Sequence, residues 1–239
     1  MRHGVSAVVL AAGRSRRAGS VNKLLLPWNG RPLLSHVLAA LKASQASEIV
    51  VVTGYQAGRI APLARAALAG SGKKRRIVHA PGFPLGLSAS LKAGIGAVSP
   101  KAHGVLVCLG DMPLLTPETI DSLIKGFIRR DAAVLPLFGK ARGNPVILAR
   151  RLFPQVMRLT GDKGARSILK RCRGFVRLIP IADRAVLLDI DRREDWMALR
   201  DSLSHSSMTP SPSSCAGKTC ESMPDRGMDG AVRSAGDKG

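Results

Sequence analysis

The feature that most constrains this chain is a repeated alternation of short apolar runs with stretches of helical spacing. Val5–Ala11, Glu48–Thr53, Gly104–Leu109 and Ala132–Leu137 read as strands. A strand that is apolar along its length has no side to turn to water, so it must be covered on both faces. Between these runs, Pro32–Ala43, Ala57–Leu68, Ser88–Val98 and Pro117–Arg129 carry helical apolar spacing. The last has Thr116 at the N-cap, Pro117 at the first helical position and Glu118 in the first turn. Shorter strands are predicted at Arg76–His79, Val146–Leu148, Phe175–Ile179 and Val186–Asp189. Further helices are predicted from about Gly164 to Cys172 and from about Glu194. The order predicts a three-layer, Rossmann-like α/β fold with a mostly parallel sheet and helices on both faces. In such sheets a ligand sits beyond the carboxyl ends of the strands, near a switch point.

With 239 residues there is room for one good-sized domain. Aromatics are only 3% of the chain, so the core must be built from Val, Leu, Ile and Ala. No apolar run is long enough to span a membrane. The N-terminal apolar stretch lacks a cleavage site and reads as a strand rather than a signal peptide. The net charge of +21 invites a nucleic-acid reading. Against it, the basic residues are dispersed, and one Tyr and five Phe offer no stacking platform. A site for small anionic ligands also requires positive charge. Cys108 reads as a core residue, and Cys215 and Cys220 match no strong zinc pattern, which together predict a reducing, cytoplasmic setting. From Ser204 to Gly239 the composition turns to Ser, Gly, Pro, Asp and Lys, without periodicity. Such a segment buries too little apolar surface to offset its ordering entropy. The predicted organisation is therefore a domain at 1–203 and a disordered tail at 204–239. The tail's own charges balance, so the excess lies on the domain.

Five motifs bear on chemistry. Leu10-Ala11-Ala12-Gly13-Arg14-Ser15-Arg16-Arg17-Ala18-Gly19, with Lys23 beyond it, follows the first strand. Small residues let backbone amides approach an anion, and Arg14, Arg17 and Lys23 can neutralise phosphates. The motif is neither a Walker A loop nor a dinucleotide fingerprint. Asp111, in Leu109-Gly110-Asp111-Met112-Pro113, closes another strand where a carboxylate can hold Mg²⁺ against phosphate oxygens; the same Asp can also simply stabilise its turn. Asp189-Ile190-Asp191 follows the last predicted strand, where alternation turns both carboxylates to one side. Asp191 is the expected second metal ligand, or else a cap for the next helix. Pro81–Ser90 is a Gly/Pro loop running into a helix, with Gly86, Ser88 and Ser90 placed to read a base or to form an ordinary helix start. Gly161-Asp162-Lys163-Gly164-Ala165-Arg166 opens a helix in a way that suits an anionic acceptor or a plain helix start.

These residues resemble a known family. LAAGRSRRAGSVNKLLLPWNGRPLL, GLSASL, LGDMPLL, RGNPVIL, GDKGARSIL and DIDRRED are similar to motifs of the molybdenum cofactor nucleotidyltransferases, closest to the cytidylyltransferase branch. The likeness runs from Ala7 to about Asp195. Leu10-Ala11-Ala12-Gly13 and Gly86-Leu87-Ser88-Ala89-Ser90 stand where the guanylyltransferase branch has Leu-Ala-Gly-Gly and Gly-Pro-Leu-Ala-Gly. Three departures from the family pattern are Ala18 for Met, Asn144 for His before Pro145, and Arg192-Arg193 for Thr-Pro.

The resemblance implies a nucleotidyltransferase fold, Mg²⁺ as cofactor, and transfer of CMP from CTP to the molybdenum cofactor with release of pyrophosphate. It implies nucleotide contacts at Leu10, Ala11, Ala12, Gly13, Arg14, Lys23, Gly86, Ser88 and Ser90. Arg17, Lys23 and Asp111 are the implied catalytic residues, Asp111 and Asp191 the metal ligands, and Gly161, Asp162 and Arg166 the acceptor side. A transient contact with a client molybdoenzyme is expected, and no nucleic acid or membrane partner. The alternatives are GTP or another phosphorylated acceptor (an alditol phosphate or phosphosugar), or a non-catalytic cofactor chaperone.

Overall fold

The computed structural model describes residues 4–15, 21–169, 172 and 175–206. Its strands and helices follow in the order β1 (Val5–Ala11), β2 (Pro27–Trp28), β3 (Arg31–Pro32), α1 (Leu33–Ala43), β4 (Glu48–Thr53), α2 (Ala57–Ala67), β5 (Lys74–His79), α3 (Leu87–Ala97), β6 (Gly104–Leu109), α4 (Pro117–Gly126), β7 (Ala133–Phe138), β8 (Ala141–Arg142), β9 (Val146–Ala149), α5 (Phe153–Met157), α6 (Ala165–Leu169), β10 (Val176–Pro180) and α7 (Arg193–Ser206).

One sheet runs in the order β10-β7-β9-β6-β1-β4-β5, with β8 paired to β7. The β6-β1-β4-β5 half is parallel throughout. β9 lies antiparallel between β6 and β7, while β10 is parallel to β7. The chain winds outward from β1 to β5 and then returns to β6 on the other side of β1. A switch point therefore opens between the carboxyl ends of β1 and β6.

Period-two alternation divides the strand residues between two cores. Val5, Ala7, Val9 and Ala11 of β1 pack with α1, α2 and α4 residues such as Leu38, Ile60 and Leu123. Val8, Leu10 and Ala12 face the other way, onto α3, α5 and α6 residues such as Leu91, Val156 and Ile168. This is the expected three-layer arrangement. Ser6 interrupts the apolar run of β1, yet it is fully buried and donates to Glu48 Oε1 at 2.6 Å. Cys108 is buried in the first core, where burial pushes its thiol pKa up.

Two expectations need correction, and a third is only partly described. Val186–Asp189 is not a strand. Asp183 accepts from the Ala185 N–H at 2.8 Å and starts a 3-10 turn over Arg184–Leu187, which buries Ala185 and Val186. The helix expected to reach Arg129 stops at Gly126, because Phe127 turns extended and buries its ring while the Asp131 carboxylate accepts from the Ile128 N–H. The helix expected at 164–172 is described over Ala165–Leu169. The Thr116 N-cap is present, accepting from Thr119 N at 3.2 Å. Helix α7 continues to Ser206, two residues past the expected start of the tail, and residues 207–239 lie outside the described residues. Among the described residues no helix is long and apolar enough to cross a membrane.

Candidate active site

A cleft of about 560 Å³ opens at the switch point. Its floor is the end of β1, its carboxylate side the end of β6, and its far side the Phe83–Leu87 loop.

At the carboxylate side, Asp111 follows β6 immediately after Gly110, whose N–H is bonded to Leu10 O at 3.1 Å. Asp111 is 8% exposed, and its Oδ1 is buried without a hydrogen-bond partner among the described residues. Asp189 and Asp191 arrive from far along the chain, on the segment between the 3-10 turn and α7. Ile190 anchors that segment: its side chain joins a small cluster with Trp28 and Leu33, and its N–H donates to Asp111 O at 3.0 Å. With Ile190 turned inward, its two flanking carboxylates turn to Asp111. Ligand oxygens of Asp111, Asp189 and Asp191 lie within 4.8 Å of one another. Strand alternation was the wrong reason for this placement. A buried isoleucine between two aspartates produces the same result without a strand. Burial, and then the charges of Asp111 and Asp191, hold the Asp189 carboxyl above its ordinary range. Asp195 does the capping at the head of α7, accepting from the Asp191 and Arg192 N–H groups at 3.0 and 2.8 Å.

Lys23 lies between the carboxylates. Its Nζ is 2.5 Å from Asp111 Oδ2 and 3.1 Å from Asp191 Oδ1. Burial alone would lower the Lys23 pKa, but the two aspartates outweigh it and the net direction is upward. The backbone holds Lys23 as well: Ser15 Oγ accepts from its N–H at 3.2 Å, and Asn22 Oδ1 accepts from Leu24 N at 3.1 Å.

On the opposite side, Arg14 stacks its guanidinium 5.5 Å from the centroid of the Phe83 ring. Gly86 has φ +114°, and a side chain there would meet Gly161 O at 2.6 Å. This close approach fastens the Phe83–Leu87 loop to the 161–164 loop. The Ser88 N–H donates to Gly161 O at 3.1 Å, and the Leu87 N–H to Asp162 Oδ1 at 3.3 Å. The two loops form one wall.

Of the residues expected from sequence, Leu10, Ala12, Gly13, Arg14, Lys23, Gly86, Ser90, Asp111, Asp162 and Asp191 all line this cleft. Ala11 does not, because alternation turns it into the opposite core. Ser88 is 3% exposed and Gly161 lies behind it, so both build the wall rather than face the cleft. Arg166 points elsewhere, donating to Arg142 O at 3.2 Å. Arg17 lies outside the described residues. Ser15, Leu24, Phe83, Pro84, Leu87 and Leu109 also line the cleft, and sequence reasoning gave them no role there. Ser15 carried a signal only in retrospect: it sits at φ +52° in the turn after β1.

A glycine turn, basic side chains and clustered carboxylates at the switch point of an open α/β sheet define a nucleotide-handling protein. The chain belongs to the family described as MobA-like NTP transferase domain, which matches residues 7–176, and it is a nucleotidyltransferase of that type. It is 32% identical to the nicotine blue oxidoreductase of Paenarthrobacter nicotinovorans over 82% of this chain and 96% of that one. It is 28% identical to the molybdenum cofactor cytidylyltransferase of Escherichia coli K12, again over 82% and 96%. Among solved structures, Rv0371c of Mycobacterium tuberculosis H37Rv in complex with manganese superposes with a TM-score of 0.67 at 28% identity, covering 83% of this chain and 99% of that one.

Proposed function

We propose that this protein transfers CMP from CTP to the molybdopterin-type molybdenum cofactor in a Mg²⁺-dependent reaction that releases pyrophosphate. The observation that carries the reading is the Asp111–Asp189–Asp191 cluster facing the glycine turn after β1 across one cleft. The family motifs and the 28% identical cytidylyltransferase support the choice of substrates. The 32% identical relative carries a different name, so family membership alone does not choose the acceptor.

The residues fit a divalent cation. Asp111 Oδ1 is a buried carboxylate oxygen with no partner among the described residues, and hard oxygen donors suit Mg²⁺. Asp111 and Asp191 would hold the ion, with Asp189 beside them. When bound, it supplies charge neutralisation at the α-phosphate. The turn amides around Gly13, with Arg14, Arg17 and Lys23, bind and orient the triphosphate. Ser90 and the wall built on Gly86 and Ser88 would read the base, and Asp162 would serve the acceptor, its loop held by the bond from the Ser88 N–H to Gly161 O. The acceptor's phosphate oxygen attacks the α-phosphorus, the bond to the bridging oxygen breaks, and pyrophosphate leaves. A phosphate nucleophile is already ionised at neutral pH, so no side chain has to remove a proton. Catalysis is then positioning and charge neutralisation. The product would pass to a molybdoenzyme in the cytoplasm.

Pyrophosphate release with molybdenum cofactor and Mg²⁺, compared for CTP and GTP under matched conditions, tests the reading. Faster turnover with CTP is expected, motivated by Ala12 and the Gly86–Ser90 loop. Equal or better turnover with GTP would overturn the base assignment, and release with a phosphosugar instead of molybdenum cofactor would overturn the acceptor.

A further inference from the structure

The carboxylates that would hold a metal are engaged by the protein's own cation. Lys23 Nζ is 2.5 Å from Asp111 Oδ2 and 3.1 Å from Asp191 Oδ1, within a group of carboxylate oxygens no more than 4.8 Å apart. A divalent ion bound to the same carboxylates would stand about 2.0–2.1 Å from their oxygens. With the ion on Asp111 Oδ1 and the ammonium on Oδ2 of the same carboxylate, both drawn also to Asp191, the two cations stand close together and repel in a half-buried site. Binding of the ion therefore drives the ammonium from its present position. The Lys23 backbone is fixed by its bond to Ser15 Oγ and by the Asn22 cap, so the movable part is the four-carbon side chain. Arg14 and Gly13 line the same cleft, on the side where a polyphosphate would lie.

We infer that Lys23 is an exchangeable counter-ion. In the nucleotide-free protein it neutralises Asp111 and Asp191. When nucleotide arrives its ammonium moves to the phosphates and frees the carboxylates for metal. Metal and nucleotide then bind synergistically, and the metal alone binds poorly. This rests on the metal-and-nucleotide reading above, and it assigns Lys23 a role that phosphate contact alone does not include. If Lys23 acted only on the phosphates and did not neutralise these carboxylates, removing it would leave metal affinity without nucleotide unchanged or lower it. With the exchange, removal raises metal affinity, because a competitor is gone and the carboxylate charge is unmasked.

The test is Mn²⁺ binding, followed by electron paramagnetic resonance without nucleotide, in wild type, Lys23→Met and Lys23→Arg. Lys23→Met should bind Mn²⁺ at least about tenfold more tightly than wild type, given the size of a close charge–charge term. Lys23→Arg keeps the charge and should stay within about threefold of wild type, and its fold does not depend on tolerating unpaired carboxylates. Calorimetry of CTP binding with and without saturating Mn²⁺ measures the coupling, which should be large in wild type and reduced in Lys23→Met. Equal or weaker Mn²⁺ binding by folded Lys23→Met, with wild type still binding Mn²⁺ and CTP together, overturns the counter-ion role alone. If Lys23→Met does not fold, wild type showing no coupling between Mn²⁺ and CTP overturns it. Wild type that takes up no Mn²⁺ even with CTP overturns the metal-dependent reading and this inference with it.

Discussion

The two sides of the cleft are built by different means. On the carboxylate side, Asp111 is set by the end of a buried strand and Asp191 by a buried isoleucine one residue away, so covalent neighbours already in the core fix the functional groups. On the loop side, Gly86, Ser88, Gly161 and Asp162 hold one another through a close backbone approach and hydrogen bonds between loops. The first arrangement can lose a charge without losing shape. The second can lose shape through a single methyl group.

That contrast can be broken at several points. The largest effect is expected at Asp111→Asn, which keeps volume and removes the charge. Loss of one transition-state electrostatic contact costs about 10²–10³ in kcat. We expect at least about that loss, with an unchanged circular dichroism spectrum. Asp191→Asn should act in the same direction, more weakly where Asp189 substitutes. The double variant should fall far short of the product of the two, because residues serving one ion act as a unit. A kcat for Asp111→Asn within about threefold of wild type at saturating Mg²⁺ and CTP would mean that the carboxylate only stabilises its turn.

Gly86→Ala attacks the other wall. At φ +114° its methyl group would be strained and would press on Gly161 O. The two loops should separate, raising KM for CTP by about tenfold or more, with kcat changed less. An unchanged KM would show that the loops are not one wall. Asp162→Asn is milder, since the amide oxygen can still accept from Leu87 N. Weakening a charge-assisted bond between the two loops to an ordinary one corresponds to roughly 1 kcal/mol, so KM for the acceptor should rise by no more than about fivefold. A larger change in KM for CTP than for the acceptor would move Asp162 to the nucleotide side. The smallest effect is expected outside both walls. Ending the chain after Ser206 keeps α7 and removes residues 207–239, and it should leave the rate and the melting temperature unchanged. A fall of several degrees would show that the removed segment docks on the domain.

The same contrast explains what was legible in the sequence. Val5–Ala11, Glu48–Thr53 and Gly104–Leu109 were read with the bounds the structure gives, because strands buried on both faces stay apolar from end to end. The β2–β3 hairpin was not read: two residues per strand leave no periodicity to detect. The inserted strand β9 was read, but its antiparallel direction depends on pairing partners that a single segment does not encode. At the site, Gly13 and Asp111 follow from local pattern, Leu10 and Ala12 from the family resemblance, and all four line the cleft. Residues whose position depends on loop packing were harder. Ser88 was expected to face a base and instead is buried with its N–H on Gly161, and Phe83 was passed over although it lies under Arg14. Nor does sequence show that Lys23 reaches Asp191, 168 residues away.

Metal dependence of the transfer is measured as pyrophosphate release by the wild-type protein with CTP and molybdenum cofactor, before and after chelation of divalent metal. Release should match the amount of CMP joined to the acceptor, stop on chelation and return with added Mg²⁺. Release that continues undiminished in excess chelator, or no release with any nucleoside triphosphate under the full set of conditions, would contradict metal-dependent transfer.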